Sequence, residues 1–230
     1  MFPSPQISNV IVEPFNAVLS LSSVSTEADV CFMMDNEAVY DICRRSLDIT
    51  ANYANLNSVI AQTVSSLTSA IRFDGSLNCD VKSFPANLCP FPRIMFAAAS
   101  YAPILNSIKA YNEAITVPEI TFQAFDRNCM LTKIDPLAGK YIAATLMYRG
   151  DIVPKDVNAC VLMIKNKKTV NFVDWCPTGI KCGLSSQLPS VVPGSLIAKT
   201  TRSVCMAGNT TACAEVFKRI GEKFDKLYGR

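Results

Sequence analysis

The sequence predicts an α/β fold followed by an α+β fold, because apolar runs of strand length and runs of helical period follow one another in mixed order. The clearest run covers residues 53–73, where apolar residues recur at steps of three and four, the period of an α-helix. This run is long enough for about five turns. Its only charged residue is Arg72, so we expect a core helix that is buried on most sides. Asp74 and Gly75 then mark a turn.

The residues before this helix predict a strand-to-helix turn and then a second strand and helix. Residues 7–12 are an apolar run, and Glu13 with Pro14 follows them, which is typical of the ligand edge of an α/β sheet. We expect a strand at 7–12, a helix over 15–21 and a second strand at 30–33. Asp35 is a suitable N-cap for the next helix.

After the core helix, predicted helices and strands alternate. The runs with helical spacing or helix-start signals are residues 81–88, 117–125, 154–167 and 209–228. The apolar runs of strand length are residues 93–99 with Tyr101, 140–149, 170–175 and 199–206. We expect surface loops at 103–116 and 176–194, the second of which has three prolines and three glycines. Asn209 or Thr210 is expected to cap the last helix.

The composition limits the class of partner. The chain has 230 residues, half of them hydrophobic, and a formal net charge of +3. Its Lys and Arg residues are scattered instead of forming a basic stripe, so we expect no nucleic-acid partner. No apolar run approaches the length of a membrane span, and the N-terminus lacks the basic start and apolar core of a signal peptide. We therefore expect a reducing compartment and no membrane partner.

Most of the ten cysteines are expected to be buried thiols that behave as small hydrophobic residues. No two of them are spaced as C-x-x-C, and the chain has no histidine to complete a mixed zinc site. We therefore expect no metal site. The lack of histidine also excludes Ser-His and Cys-His catalysis.

Ten collinear segments resemble α-tubulin, and together they extend over essentially the whole chain. They are PSPQISNVIVEPFN, FMMDNEAVYDICRRSLDI, YANLN, RFDGSLN, PFPRI, YAP, GKYIAATLMYRGDIVPKDVNA, FVDWCPTGIK, VVPG and NTTA. The segment MYRGDIVPKDVNA and the loop PSVVPGSLIAKTTRSV resemble the α form, whereas EVFKRI is closer to the β form. The stretches between these segments are heavily altered, so the chain resembles a divergent member.

The resemblance implies a tubulin-like fold in four parts. These are a remnant of the Rossmann-like nucleotide-binding half (residues 1–52), the long core helix (53–73), an intermediate domain of mixed sheet and helix (74–208) and the truncated start of a C-terminal helical region (209–230). The family's GGGTGSG-type loop, which holds the nucleotide phosphates, has no counterpart in this sequence. If the family's first strands are also missing, one side of the core helix and a sheet edge are exposed.

The resemblance also implies contacts to a guanine base. Asn36 and Asn57 match the pair of residues that hydrogen-bond the guanine ring, and Tyr53 matches the aromatic residue that stacks on it. The chemistry is suitable, because an aromatic face stacks on a purine and an amide offers both a donor and an acceptor. Each Asn taken alone is more typical of a helix cap or a turn, and only the set on one motif frame favours nucleotide contacts.

The implied contacts to the rest of the nucleotide are fewer. Glu13 matches a residue that contacts the ribose, and Ser8 and Asn9 match the loop beside the sugar and the phosphates. The family usually has Thr at the position of Asn9. The implied cofactor is GTP with Mg²⁺, but without the phosphate loop we expect it to bind weakly or not at all.

The loop after the core helix lacks the acid that the family uses for GTP hydrolysis. Asp80 is retained, but Ser83 stands where the α family has its catalytic Glu. A serine cannot take a proton at neutral pH, so we expect no stimulated hydrolysis and no catalytic residue. Asp80 is also a candidate helix N-cap.

The resemblance leaves three functions open. The first is an α-tubulin-like structural subunit of microtubules in the cytoplasm, with β-tubulin and other tubulin subunits as partners and with Tyr111 as a lateral contact. Tyr111 is alternatively part of a mobile loop. The second is a fragment that binds tubulin without polymerising, or a product of a decayed gene with no function. The third is an autonomous GTPase, which the missing phosphate loop and Ser83 oppose.

Overall fold

A mixed β-sheet forms the centre of the structure. The computed structural model describes residues 1–230 except 5, 7–9, 78, 81, 109, 111–114, 168, 169, 177, 178 and 230. Within the described residues, five strands have the order β1-β2-β5-β3-β4. They are β1 (Cys31–Met33), β2 (Phe96–Ala102), β3 (Tyr141–Gly150), β4 (Ile180–Ser185) and β5 (Arg202–Thr210). Strand β5 is antiparallel to β2 and β3, whereas the two outer pairs are parallel.

Helices cover both faces of this sheet, which confirms the predicted fold class. They are α1 (Glu13–Glu27), α2 (Asn36–Ile42), α3 (Tyr53–Leu67), α4 (Ser69–Arg72), α5 (Ser83–Leu88), α6 (Val117–Ala124), α7 (Pro154–Lys167) and α8 (Ala214–Tyr228). Side chains of the central strands alternate between two cores. Met147 and Cys205 pack with α2 and α3, whereas Leu146 and Met206 pack with α6 and α7. Helix α8 packs against α1, where Phe224 meets Phe15.

The core helix is interrupted at Thr68, so the prediction of one continuous helix over residues 53–73 is wrong at this residue. Helix α3 ends at Leu67 and α4 begins at Ser69, and Thr68 between them has a ψ of 0°. The Thr68 hydroxyl donates to the carbonyl oxygen of Val64 over 2.9 Å. Such side-chain bonds to the preceding turn compete with regular helix geometry.

The core helix is buried on one face only, so the prediction of burial on most sides is also wrong. On the inner face, Leu56 and Val59 are almost fully buried. On the outer face, 73% of Tyr53, 46% of Val64 and 47% of Ile71 is exposed. No described segment covers these three side chains. The outer face of the helix is therefore an exposed, partly apolar surface in the described part of the chain.

Strand β4 lies inside the predicted loop 176–194, and the predicted strand 170–175 is wrong. Residues 170–175 contribute only an isolated bridge between Phe172 and Tyr141. Strand β4 instead pairs with β3 from Ala144 onward. A Cβ on Gly179 would lie 2.7 Å from the carbonyl oxygen of Ile142, so this glycine permits a close approach of two backbones.

Strand β5 is displaced from its predicted position, residues 199–206. It runs from Arg202 to Thr210, so Asn209 lies in the strand and does not cap the last helix. Thr210 does act as a cap, because its hydroxyl accepts from the backbone N–H of Ala212 at the start of a 3₁₀ turn that precedes α8. Strand β2 starts at Phe96 instead of residue 93, since Arg93 has a φ of +70° that strands do not use.

The first helix is longer than predicted and no strand precedes it in the described part. Helix α1 spans Glu13–Glu27 instead of residues 15–21. Val10 to Val12 are exposed, and Ile11 and Val12 form a turn, so the strand predicted over residues 7–12 is wrong where the structure describes it. In contrast, the Asp35 carboxylate accepts from the backbone N–H of Glu37, which confirms the predicted N-cap of α2.

The cysteines are all free thiols, and five of them are buried: Cys43, Cys79, Cys160, Cys205 and Cys213. Burial raises the pKa of the half-buried Cys182 thiol to about 12, so this thiol stays protonated at neutral pH. Within the described residues, no group of three His, Cys, Asp or Glu side chains is arranged to hold a metal ion. None of the described helices is long and apolar enough to cross a bilayer.

Candidate functional site

A cavity of about 510 Å³ lies between helix α1 and the N-terminal ends of α2 and α3. Its lining includes Glu13, Asn36 and Tyr53, which are three of the six residues that the sequence predicts for a nucleotide site. These three residues are the first residues of α1, α2 and α3, respectively. The fold thus brings three helix N-termini to one cavity, and their backbone N–H groups and dipoles favour electronegative ligand atoms.

Tyr53 presents its ring at the mouth of the cavity. Asn52 precedes it as the N-cap of α3, and the Asn52 side chain accepts from the backbone N–H of Asn55 over 2.8 Å. This cap fixes the start of α3, and Tyr53 remains 73% exposed. An exposed ring that lines a cavity can stack on a flat ligand and bury apolar area.

Asn36 and Tyr40 contribute a second side of the cavity from helix α2. They are four residues apart and therefore lie on one face of the helix. Asn36 is predicted from the sequence whereas Tyr40 is not, although its spacing of four from Asn36 is a signal for it. Asn57, one turn after Tyr53 on α3, is exposed but does not line the cavity.

The N-terminal residues form the remaining wall. The backbone N–H of Phe2 donates to the carbonyl oxygen of Met34 over 2.7 Å, and the Ser4 hydroxyl donates to the Asp35 carboxylate over 2.7 Å. Burial raises the pKa of Asp35, although the bond from Ser4 opposes this effect. Lys223 of α8 donates to the carbonyl oxygen of Ser4. Sequence reasoning did not identify Ser4, because its partners are distant in the chain.

The cavity is poor in positive charge. None of the described lining residues is Lys or Arg, and Glu13 is the only acidic residue among them. The arrangement can therefore recognise a ring and polar edge groups, but it offers a triphosphate little electrostatic stabilisation.

The predicted catalytic loop is organised by local bonds. Helix α5 begins at Ser83 instead of residue 81, and its N-cap is Lys82. The prediction that Asp80 caps this helix is therefore wrong. The Ser83 hydroxyl donates to the backbone carbonyl oxygen of Asp80 over 2.5 Å and lies 2.8 Å from the sulfur of Cys79. Neither Asp80 nor Ser83 lines the cavity.

Three predicted site residues lie outside the described residues: Ser8, Asn9 and Tyr111. The predicted contacts of Ser8 and Asn9 to sugar and phosphate, and of Tyr111 to a neighbouring subunit, therefore stay predictions. Ser4 and Glu13, which precede and follow Ser8 and Asn9 in the sequence, are both lining residues of the cavity.

The family model and the similar proteins named below all indicate the same family. Residues 92–222 match the model of the tubulin C-terminal domain. Along all of its length, the chain is 56% identical to the tubulin alpha-2B chain of Physarum polycephalum, 57% to the tubulin alpha-1 chain of Arabidopsis thaliana and 56% to the tubulin alpha-3 chain of Zea mays. The chain covers 51% of each of these relatives, so it spans about half their length.

Proposed function

The chain belongs to the tubulin family, and from this membership we propose that it is an α-tubulin-like structural subunit with a partial guanine-nucleotide site. The proposal of a nucleotide site rests on one observation, which is that Glu13, Asn36 and Tyr53 line the same cavity. The three residues come from three different helices, and each has the chemistry that one part of a nucleoside requires. Tyr53 supplies a stacking face, Asn36 an amide and Glu13 a carboxylate acceptor for ribose hydroxyls.

The charge of the cavity limits what it recognises. Because no Lys or Arg lines its described part, the binding energy comes from the base and the ribose. A GTP molecule bound by these groups meets no Lys or Arg side chain among the described lining residues to stabilise its phosphates. The chain therefore acts as a weak nucleoside-binding subunit, and an autonomous GTPase is the least supported of the three functions.

Guanosine and GTP are expected to bind the chain with Kd values within about tenfold of each other, measured by isothermal titration calorimetry. Tyr53→Ala is expected to weaken both, since base stacking contributes about 1–3 kcal/mol, or roughly 5- to 150-fold in Kd. Tyr228→Ala is the matched control, because Tyr228 is 78% exposed on α8 and does not line the cavity.

Two outcomes of this titration contradict the proposal. One is GTP binding that is far tighter than guanosine binding and depends on Mg²⁺, since it requires a phosphate site that the described cavity does not provide. The other is an equal loss for Tyr53→Ala and Tyr228→Ala, since it makes the ring at the cavity mouth irrelevant to binding.

A second candidate function is a fragment that binds tubulin without entering the polymer. The observation that favours it is the uncovered outer face of the core helix, where Val64 and Ile71 are each about half exposed. Exposed apolar patches of this kind mark interaction surfaces. The proposed partners of the structural subunit are β-tubulin and other tubulin subunits, and its proposed location is the cytoplasmic cytoskeleton.

Co-sedimentation with purified tubulin separates these two functions. A structural subunit is expected to pellet with assembled polymer in a constant ratio to tubulin and to stay in the pellet through a second cycle of disassembly and assembly. A fragment that only binds subunits is expected to stay in the supernatant with unassembled tubulin. Recovery in the supernatant after the second cycle would contradict the polymer proposal.

A further inference from the structure

Arg149 is a buried cation that has no anion beside it among the described residues. It lies near the end of β3 and is only 1% exposed. Its guanidinium donates through Nε to the carbonyl oxygen of Gln187 and through Nη1 to the hydroxyl of Ser65, both over 3.3 Å. No described carboxylate is within ion-pair distance of it. An arginine has five N–H donors, so three have no acceptor among the described residues.

A second guanidinium lies against the same groups. Arg72 donates through Nη2 to the hydroxyl of Ser65 over 2.9 Å and to its carbonyl oxygen over 2.7 Å. Both guanidinium carbons also lie over the ring of Phe73, at 4.9 Å for Arg72 and 5.5 Å for Arg149. The two guanidinium groups thus share the Ser65 hydroxyl and the Phe73 ring, and their other acceptors among the described residues are neutral oxygens, in a place where proteins commonly have a carboxylate.

The surroundings of Arg149 support an unfilled polar site. Burial lowers the pKa of Arg149, and the charge of Arg72 lowers it further. In the sheet, Arg149 is in register with Ser185 of β4, so the two side chains lie on the same face. The Ser185 hydroxyl is buried and has no hydrogen-bond partner in the described part of the chain. Buried polar atoms are normally satisfied, so this set of donors indicates a missing acceptor.

The residues around this site indicate which kind of molecule supplies the missing acceptor. Arg72 is one helical turn after Thr68 and two turns after Val64. The exposed apolar side chains of Val64 and Ile71 therefore lie beside the exposed guanidinium of Arg72. A partner that covers both regions has an acidic group next to apolar groups, which is the chemistry of a polypeptide segment and not of a free inorganic anion.

We propose that Arg149 and Arg72 form a carboxylate-binding site, which an Asp or Glu side chain of a second polypeptide segment occupies while its apolar neighbours cover Val64 and Ile71. The Nη1–Nη2 edge of Arg149 carries the unsatisfied donors and matches the two oxygens of a carboxylate in a bidentate arrangement. Ser185 donates a further hydrogen bond from the adjacent strand. Because the Arg149 guanidinium is buried, its charge-assisted bonds form in a medium of low dielectric constant.

The test uses the full chain and the short peptides acetyl-Leu-Glu-Leu-amide and acetyl-Leu-Gln-Leu-amide. The Glu peptide at ten times its Kd is expected to raise the midpoint of thermal unfolding by about 3 °C, and the isosteric Gln peptide is expected to leave it unchanged. Inorganic phosphate at equal ionic strength distinguishes the source of the negative charge. An equal rise with phosphate, or with the Gln peptide, would overturn the proposal.

Three variants assign the effect to the two arginines. Arg149→Met is expected to raise the unfolding midpoint without peptide by about 2 °C or more, because it removes an unpaired buried charge, and to abolish the response to the Glu peptide. Arg72→Gln, which alters an exposed side chain, is expected to keep the fold and to weaken the peptide response. In the matched control Arg202→Met, the response stays, since Arg202 has its own carboxylate in Asp151 at 3.5 Å.

The opposite pattern refutes the site. If Arg149→Met lowers the midpoint and keeps the peptide response, Arg149 is an ordinary core residue whose two hydrogen bonds suffice. If Arg72→Gln folds normally and binds the Glu peptide as tightly as the natural chain, the second guanidinium has no part in the site and the proposal fails.

Discussion

Replacing Leu56 by Ala is expected to lower the free energy of unfolding by about 2–5 kcal/mol. Leu56 lies on the inner face of α3, is 1% exposed and belongs to the core between α2, α3 and the sheet. The substitution removes three buried carbon atoms and leaves a cavity that the sheet cannot close. The measurement is urea unfolding followed by far-ultraviolet circular dichroism, with the midpoint and the slope fitted separately.

The matched control is the same substitution at Leu162. This residue is 60% exposed on α7, so Leu162→Ala is expected to change the free energy of unfolding by less than about 0.5 kcal/mol. Val64→Ala extends the comparison to the outer face of α3 itself, and a similarly small change is expected there. Losses of equal size at Leu56 and Val64 would mean that both faces of α3 are buried, as the sequence alone predicted.

The helical period predicts that residues 53–73 form a helix, but it does not determine how many sides are covered. The apolar positions extend around more than one face, from Leu56 and Val59 to Val64 and Ile71. Which of these faces is buried depends on the segments that pack against the helix, and those segments are distant in the chain. The low charge of this helix therefore predicts an apolar surface correctly, but it does not predict that this surface is buried.

Strand β4 shows a second limit of local patterns. Glycine is a turn signal in sequence analysis, and residues 176–194 contain three of them. In the structure, Gly179 lies just before β4, where a Cβ would be only 2.7 Å from the backbone carbonyl oxygen of Ile142 in β3. The need for glycine comes from a neighbouring strand more than 30 residues earlier, and no local pattern contains that information.

The candidate site was predictable mainly from the resemblance. Nothing in the local spacing of Glu13, Asn36 and Tyr53 indicates that they meet, since they are 23 and 17 residues apart. The physical reason for their meeting is that each begins a helix at the same cavity. Tyr40 can be predicted from the sequence, because it is one helical turn from Asn36. The hydrogen bond between Ser4 and Asp35 cannot be predicted in this way, because it depends on tertiary structure.

Asn209→Asp is expected to lower the free energy of unfolding by about 3 kcal/mol or more at pH 7. The Asn209 amide is buried at the end of β5 and donates to the carbonyl oxygens of Leu88 over 2.8 Å and of Ile94 over 2.9 Å. An aspartate has no donor, so it leaves both carbonyls unsatisfied and adds a buried charge beside them. The measurement is urea unfolding at pH 7 and again at pH 4.5.

The pH dependence of this loss follows from the sign of the pKa shift. Burial beside two carbonyl oxygens favours the neutral acid, so the pKa of an aspartate at position 209 is raised above its unfolded value. The folded variant then binds the extra proton more tightly than the unfolded chain does, and the loss becomes smaller as the pH falls through the raised pKa. A protonated carboxyl also regains one O–H donor for one of the two carbonyls.

This substitution also distinguishes the strand position of Asn209 from the helix cap that the sequence predicted. At an N-cap, Asn and Asp are nearly equivalent, and the negative charge of Asp is favourable at a helix N-terminus. An N-cap at Asn209 thus predicts no loss or a small gain, whereas the two bonds to Leu88 and Ile94 predict a large loss. Asn158→Asp on the exposed side of α7 is the matched control and is expected to change little. A small change at both positions would contradict the placement of Asn209 in β5.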